Sequence, residues 1–146
     1  MLVIGTKNFT SQEVLANGIL NLGAVYRRYC KRINGTRTFD FDGNNIVLQQ
    51  SGMYHITATA VASGQVAGDV TLSLFENGVA VAGVVSTETI TTPDTEFRTL
   101  VLDYYVLVDS ACVLGNVATV SKAISLVNTG VDATYTSVVV NVDKVV

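Results

Sequence analysis

Apolar and polar residues alternate with a period of two along most of this chain. In residues 53–62, the even positions from 54 to 60 are Tyr, Ile, Ala and Ala, whereas the odd positions between them are His, Thr and Thr. Residues 69–76, 97–108 and 134–145 show a similar alternation. A period of two is typical of strands that bury one face in an antiparallel sheet. The pattern therefore predicts an all-β chain.

Turn residues divide the alternating runs at short intervals. Asn-Gly and Asp-Gly pairs suit tight hairpin turns, which need a positive φ, and they occur at 17–18, 34–35, 42–43 and 77–78. The predicted strands cover residues 14–22, 24–33, 36–41, 45–50, 53–62, 69–76, 79–85, 97–108, 112–127 and 134–145, with a break near Gly115. Strands of this number and spacing indicate an antiparallel ten-strand sandwich of the jelly-roll type.

Two segments interrupt the strand pattern. Residues 86–96 contain the single proline and lack alternating apolar positions, so we expect an exposed loop there. Thr10 and Glu13 have the spacing of a helix capping box, which leaves one short helical turn as an alternative. Neither a linker nor an internal repeat divides the chain. We therefore expect one jelly-roll domain over residues 14–146, preceded by an N-terminal arm of residues 1–13.

The composition adds a prediction about assembly. The 146 residues are 49% hydrophobic and only 14% charged, against roughly 25% charged residues in an average soluble domain. Such a chain has enough apolar residues for a core, which excludes intrinsic disorder. Its apolar runs are too short for a transmembrane helix, so we expect no membrane partner. The low charge predicts that other copies of the chain cover part of the surface.

The few charges are sorted along the chain. Five of the nine basic residues lie between positions 27 and 37, whereas the chain from Asp40 onward is acidic or neutral on balance. The net charge of −3 argues against a general nucleic-acid binder. Three interpretations of the basic run stay open: a solvated edge strand, a subunit interface that uses Arg27, Arg28 and Arg32, and stacking of bases on the neighbouring tyrosines.

The cysteines and the N-terminus bear on the compartment. Cys30 and Cys112 are too far apart in the sequence for a metal knuckle or a redox pair. The apolar start, residues 1–4, is too short for the core of a signal peptide. We therefore expect synthesis in a reducing cytosol and two buried free thiols, with a bridge between the two cysteines as the alternative.

Motifs for catalysis and for metal binding are absent from the sequence. The single histidine, His55, lies in a predicted strand without a nucleophile motif. The acidic residues occur singly at turns and strand ends, and no tryptophan offers a platform for a sugar. We expect no enzyme activity, no cofactor and no metal site. An ion held by three copies of His55 on a symmetry axis is the remaining metal alternative.

Three segments of the sequence resemble known families. In residues 51–60, a glycine turn leads into a strand that begins with the aromatic Tyr54, and residues 70–79 end in Asn-Gly. These segments resemble the Gly-x-Tyr strand and the next hairpin of tumour-necrosis-factor-like and complement globular-head jelly rolls. Residues 17–23, followed by Arg27-Arg28, resemble a segment of short proteins from tailed bacteriophages and prophages that use this fold. The resemblance covers residues 14–145.

The resemblance implies a ten-strand jelly roll that assembles as a homotrimer around a threefold axis. Tyr54, Tyr104 and Tyr105 would then fill the interior or the interface between subunits. It also implies a non-enzymatic protein of the virion, made in the bacterial cytoplasm, that serves as a capsid decoration or head-fibre module. Its partners would be copies of itself and the capsid or tail proteins.

The same resemblance allows a second role. A tail-associated host-recognition module would bind a cell-surface carbohydrate or receptor through exposed loops at 63–69 and 86–96. The candidate contacts in that case are Thr91, Asp94 and Glu96.

Overall fold

The computed structural model describes residues 1–33, 35–108 and 121–145, which form strands and connecting turns without a helix in these ranges. The strands are β1 (Leu2–Asn8), β2 (Gln12–Val14), β3 (Gly18–Ile19), β4 (Ala24–Arg28), β5 (Phe39–Phe41), β6 (Ile46–Leu48), β7 (Gly52–Gly64), β8 (Gly68–Glu76), β9 (Val79–Ile90), β10 (Arg98–Val108), β11 (Lys122–Asn128) and β12 (Ala133–Lys144). Within the described ranges there is accordingly no helix that could cross a membrane.

The strands form two antiparallel sheets. Sheet A has the order β10-β7-β12-β1-β4, and the short β2 also pairs with β12. Sheet B has the order β5-β6-β11-β8-β9, and the short β3 also pairs with β11. Each sheet thus has six strands, so the prediction of an all-β antiparallel sandwich is confirmed, with twelve strands among the described residues where ten were predicted.

The core lies between the two sheets and follows the predicted alternation. In β7, the even positions from Tyr54 to Ala62 are almost completely buried. Leu100 and Leu102 of β10 pair with Ala60 and Ala58 of β7 and are buried beside them. From sheet B, buried leucines and isoleucines face this layer, and they include Ile46, Leu48, Leu72, Leu74, Ile124 and Leu126. Packing of this apolar layer holds the two sheets together.

The residues expected to form a separate N-terminal arm are part of sheet A. β1 lies between β12 and β4 and pairs with both. Its residues Val3 and Ile4 belong to the hydrophobic core, and the side chain of Thr6 is also buried. The arm assignment is therefore corrected, because deleting this strand would separate β4 from the rest of its sheet.

Three further expectations about element boundaries are corrected. The strand expected over 24–33 ends at Arg28, the last residue of β4 that pairs with β1. β9 continues to Ile90 by pairing with β8, so only the second half of the expected loop 86–96 lies outside a strand. Thr87 and Thr71 face each other there, with their hydroxyl oxygens 3.0 Å apart. The alternative helical turn after Thr10 does not form, because Gln12–Val14 pairs with β12.

The predicted strand over 112–127 falls largely outside the described residues, as does the expected break near Gly115. Its described part begins with β11 at Lys122. There β11 lies at the centre of sheet B, between β6 and β8.

Candidate functional site

The outer face of sheet A is the main candidate for a functional surface. Residues paired across antiparallel strands point to the same side of a sheet. The buried Leu102 pairs with Ala58, and the next residue, Val101, pairs with Thr59 and points away from the core. We call this outer surface the open face. It comprises Met53, His55, Thr57 and Thr59 of β7, Val101, Asp103, Tyr105 and Leu107 of β10, Val139, Asn141 and Asp143 of β12, and Gly5 and Lys7 of β1.

Large apolar side chains are exposed at the β10 end of the open face. Val101, Tyr105 and Leu107 are 56%, 55% and 53% exposed, and Met53 beside them is 38% exposed. Leu107 and Met53 are direct cross-strand partners. Tyr105, Leu107 and Met53 adjoin one another, whereas Asp103 lies between Val101 and Tyr105 along β10. Exposed apolar side chains grouped in this way are a feature of interaction sites. The alternation pattern in the sequence did not identify this strip. Both faces of β10 carry large apolar residues, so the pattern does not show which of them are exposed.

Tyr105 is held in place by the single histidine. The rings of His55 and Tyr105 are stacked, with centroids 4.4 Å apart and planes 10° apart. His55 Nε2 lies 2.5 Å from Asp103 Oδ1. The stack fixes the orientation of the exposed tyrosine ring, and ordering a ring before association lowers the entropy cost of binding. Sequence reasoning missed Asp103 as the partner, because the cross-strand register was needed to place it beside His55.

The histidine and carboxylate pair resembles two thirds of a nucleophilic triad. Such a triad also needs a hydroxyl or thiol that hydrogen-bonds to the imidazole. Among the described residues, His55 has a hydrogen bond to Asp103 and none to a hydroxyl or thiol group. The same ranges contain no cluster of three or more His, Cys, Asp or Glu side chains that could hold a metal ion.

The β4 end of the open face is polar and basic. The ring of Tyr26 lies over Gly5, where any Cβ would overlap the ring, and its hydroxyl donates a hydrogen bond to Asn141 Oδ1. Lys7 Nζ lies 4.4 Å from the centroid of the same ring, which is a cation–π geometry. Arg27 pairs with Gly5 and therefore belongs to this end of the face.

The three tyrosines expected at the interior or interface have different positions. Tyr54 is fully buried, and its hydroxyl donates a hydrogen bond of 2.7 Å to the Gln50 carbonyl. Burial raises the pKa of Tyr54 to about 12. Tyr54 is therefore a core residue, which is the interior position of the two that the resemblance implied, and it is no longer an interface candidate. Tyr104 is half-buried, and burial and the nearby Glu76 carboxylate raise its pKa. Only Tyr105 of the three is exposed on the open face.

The basic run divides between two surfaces. Arg27 lies on the open face, but Arg28 and Arg32 line a cleft at the side of the sandwich together with Arg37. Cys30 is exposed in the same cleft, which corrects the expectation that its thiol is buried. Cys112 lies outside the described residues, so the bridge between the cysteines stays an untested alternative.

Among the residues of the expected ligand loop, Glu96 stabilises the loop itself. Its carboxylate accepts hydrogen bonds from the Thr91 and Thr92 amides at 2.7 and 3.1 Å and from the Thr91 hydroxyl at 3.1 Å, and it forms an ion pair with Arg98. The two backbone amides lower the pKa of Glu96, with a smaller contribution from Arg98. Thr91 and Glu96 thus hold the loop in shape. Asp94 is exposed at a positive φ of 64°, and its side chain makes no hydrogen bond within the described residues.

No protein-family model matches the chain, and no curated protein sequence matches it either. Solved structures do match over almost the whole chain. The globular domain of zebrafish complement 1qA protein has a TM-score of 0.63 at 8% identity, covering 100% of this chain and 98% of its own. Eiger TNF from S. frugiperda has a TM-score of 0.66 at 5% identity, covering 99% and 93%. The PRD1 vertex protein P5 has a TM-score of 0.50 at 19% identity, covering 99% and 97%.

Identities this low carry information about the fold alone. The two sheets, their strand order and the near-complete coverage of both chains agree with one another. The chain therefore has the jelly-roll fold of the TNF-like proteins and the complement globular domains.

Proposed function

We propose that this protein is a non-enzymatic structural component of a bacteriophage virion that assembles as a homotrimer through its open face. The observation that carries the proposal is the exposed apolar strip of Val101, Tyr105, Leu107 and Met53 on a TNF-like jelly roll. A single chain leaves this strip in water. Burying it against another copy removes that apolar surface from water, and the hydrophobic effect supplies the driving force.

The open face has two different ends, which favours a head-to-tail contact. The β10 end presents the apolar strip with Asp103, whereas the β4 end presents Lys7, Arg27 and the ring of Tyr26. A contact between unlike surfaces closes into a ring when the rotation between subunits permits it. In the proposed trimer, the β10 end of each subunit packs against the β4 end of the next, and Asp103 lies on the side that meets the basic groups.

The place in the virion is proposed from two sources. The sequence resembles short bacteriophage proteins at residues 17–23 and at Arg27-Arg28. One structural neighbour is a vertex protein of the phage PRD1. We infer that the trimer is a capsid decoration or a head fibre, with capsid or tail proteins as its other partners. The TNF-like and complement neighbours support a binding or scaffold role over catalysis.

A matched pair of variants tests the interface. Val101 on the open face and Val66 in the turn between β7 and β8 are 56% and 52% exposed. Val101→Asp places a charge in the proposed interface, whereas Val66→Asp places the same charge at an equally exposed site outside it. We expect Val101→Asp to sediment as a monomer in analytical ultracentrifugation and Val66→Asp to remain a trimer. Circular dichroism should show both variants folded, since neither side chain belongs to the core.

The opposite pattern, in which Val66→Asp dissociates the assembly and Val101→Asp does not, would place the interface elsewhere. A wild-type chain that is already monomeric would refute the trimer itself.

The alternative role, recognition of a host carbohydrate or receptor, has a specific observation in its favour. The loop after β9 is held rigid by Glu96 and presents Asp94 to solvent. Asp94→Ala should reduce adsorption of phage to host cells while leaving trimer formation unchanged if this role is correct. Antibody labelling of particles in the electron microscope separates the two roles, because a decoration labels the capsid shell and a recognition module labels the tail.

A further inference from the structure

The side of the sandwich contains a basic cleft between the edge strands of the two sheets. β4 is the last strand of sheet A and β5 is the first strand of sheet B, and the cleft between them has a volume of about 410 Å³. Three arginines are among the residues that line it, Arg28, Arg32 and Arg37. We call this feature the arginine cleft. Its volume falls within the range of small-molecule binding sites, roughly 300–1,000 Å³.

The strand register explains why Arg28 points into the cleft and Arg27 does not. Arg28 pairs with Ile4, a core residue, so its side chain leaves β4 on the side that faces sheet B. Arg27 pairs with Gly5, whose outer side is the open face. The neighbouring residues Arg27 and Arg28 therefore lie on two different surfaces. Every residue that lines the cleft belongs to the same chain.

The charges in the cleft are only partly balanced. Arg37 Nη1 lies 3.1 Å from Asp40 Oδ1, and Asp40 Oδ2 also accepts a hydrogen bond of 2.7 Å from Gln49 Nε2. Arg28 and Arg32 form no ion pair with a carboxylate of the described residues. The lining thus contains three arginines and one aspartate, Asp40. Their net positive charge favours the binding of an anion.

The remaining lining is apolar. Phe41 is half-buried, Phe39 is almost fully buried, and both contribute to the wall together with Val25. Guanidinium groups bind phosphate bidentately, and an apolar wall suits the carbon skeleton that carries the phosphate. The cleft is also much larger than a bare phosphate ion.

We propose that the arginine cleft is a binding site for a phosphorylated sugar. Arg28 and Arg32 bind the phosphoryl oxygens, Arg37 joins them at the cost of its contact with Asp40, and the sugar lies against Phe41. This proposal goes beyond assembly, and every residue that it names belongs to one subunit.

Calorimetric titration tests the proposal with three probes: a hexose monophosphate, the unphosphorylated hexose, and inorganic phosphate. We expect the hexose monophosphate to bind more tightly than either of the others, and its affinity to fall as salt is added. Arg32→Gln and Arg28→Gln should each weaken binding roughly tenfold, the effect of losing one charge-assisted hydrogen-bonded contact. Arg98→Gln, at an arginine outside both the arginine cleft and the open face, is the matched control and should leave the affinity unchanged.

Several results would overturn the proposal. They are no binding of the hexose monophosphate, equal binding of inorganic phosphate, and an equal loss of affinity in Arg98→Gln. Tighter binding of a single-stranded oligonucleotide would assign the cleft to nucleic acid instead. Repeating the titration on Val101→Asp separates this proposal from the assembly proposal, because a monomer should bind the hexose monophosphate as well as the wild-type protein does.

Cys30 offers a second readout inside the same cleft. In a Cys112→Ser background, Cys30 is the remaining cysteine of the sequence. We expect saturating hexose monophosphate to slow its alkylation by neutral iodoacetamide, and unphosphorylated hexose to leave the rate unchanged. An alkylation rate that does not respond to the hexose monophosphate would show that the sugar phosphate does not occupy the cleft.

Discussion

At the residue scale, two buried threonines differ in whether a partner reaches the hydroxyl. The Thr6 hydroxyl has no hydrogen-bond partner among the described residues. The Thr38 hydroxyl accepts a hydrogen bond from the Lys31 amide at 3.2 Å and lies 3.0 Å from the Lys31 carbonyl and 3.2 Å from Gln50 Oε1. Burial of an unpartnered hydroxyl costs about 1–3 kcal/mol, whereas a partnered one stabilises the fold.

The same substitution should therefore act in opposite directions at these two sites. Thr6→Val removes an unpartnered polar atom and should raise the free energy of unfolding by about 1 kcal/mol. Thr38→Val leaves buried partners without their hydrogen bond and should lower it by about 1–3 kcal/mol. Urea denaturation of the two variants measures both effects. Equal destabilisation by both substitutions would show that a partner, such as a bound water, reaches Thr6.

Tyr54 makes stability depend on alkaline pH. Its pKa rises from an ordinary 10.0 to about 12 in the folded protein, because burial disfavours the charged phenolate. Folding thus favours the neutral phenol of Tyr54. The stabilisation that results is complete below the pKa that the tyrosine has in the unfolded chain, and it is lost as the pH rises through its pKa in the folded protein. Two units of pKa correspond to roughly 3 kcal/mol of folding free energy, lost between about pH 10 and 12. Burial also raises the pKa of Tyr135, in the same direction.

Tyr54→Phe should reduce the alkaline loss of stability while costing about 1–3 kcal/mol at neutral pH, because the Gln50 carbonyl loses its donor. Chemical denaturation between neutral pH and pH 12 measures both effects. An unchanged alkaline loss in Tyr54→Phe would contradict the assignment to this residue.

At the element scale, β1 distinguishes the observed fold from the expected N-terminal arm, because a separate arm would not contribute a strand to sheet A. Ile4 is fully buried in the core, whereas Phe9 just after the strand is 67% exposed. Ile4→Ala should lower the free energy of unfolding by about 2–5 kcal/mol, because it leaves a cavity between the sheets. Phe9→Ala should change it by less than about 0.5 kcal/mol. Thermal unfolding compares the two, and a small effect of Ile4→Ala would mean that residues 2–8 are dispensable for the fold.

The sequence predicted the long strands well and the short or irregular ones poorly, for identifiable reasons. In β7, alternation at every second position marked the buried side correctly. In β1, Gly5 and Thr6 interrupt the apolar pattern, because Gly5 makes room for the ring of Tyr26 and Thr6 is a buried polar residue. The end of β9 was missed because threonines supply its outward side chains, and threonine-rich segments also occur in loops.

The candidate sites were predictable only in part. The arginines were visible as a run in the sequence, but their division between the open face and the arginine cleft depends on the pairing of β4 with β1. Likewise Glu96 was identified as a residue of interest, but its bonds to Thr91 and Thr92 are formed across a turn that no local pattern specified. Pairing register and turn geometry are properties of the folded chain.

At the scale of the whole molecule, the low charge content has two explanations that add to each other. Threonine and serine hydroxyl groups cover outward positions of the strands without charge. The β10 end of the open face instead carries uncharged side chains that a lone subunit would leave in water, Val101, Tyr105, Leu107 and Met53. Of the nine basic and twelve acidic residues, Arg27 and Lys7 lie at one end of this face and Asp103 at the other. A ring of subunits buries the apolar strip and brings these opposite charges toward each other.

The mass of the wild-type protein in solution tests this picture most directly. Size-exclusion chromatography with light scattering at micromolar concentration should give three times the chain mass of 15.5 kDa. Because the contact is largely apolar, the assembly should also persist at high salt. A mass of 15.5 kDa under the same conditions would contradict the proposed trimer.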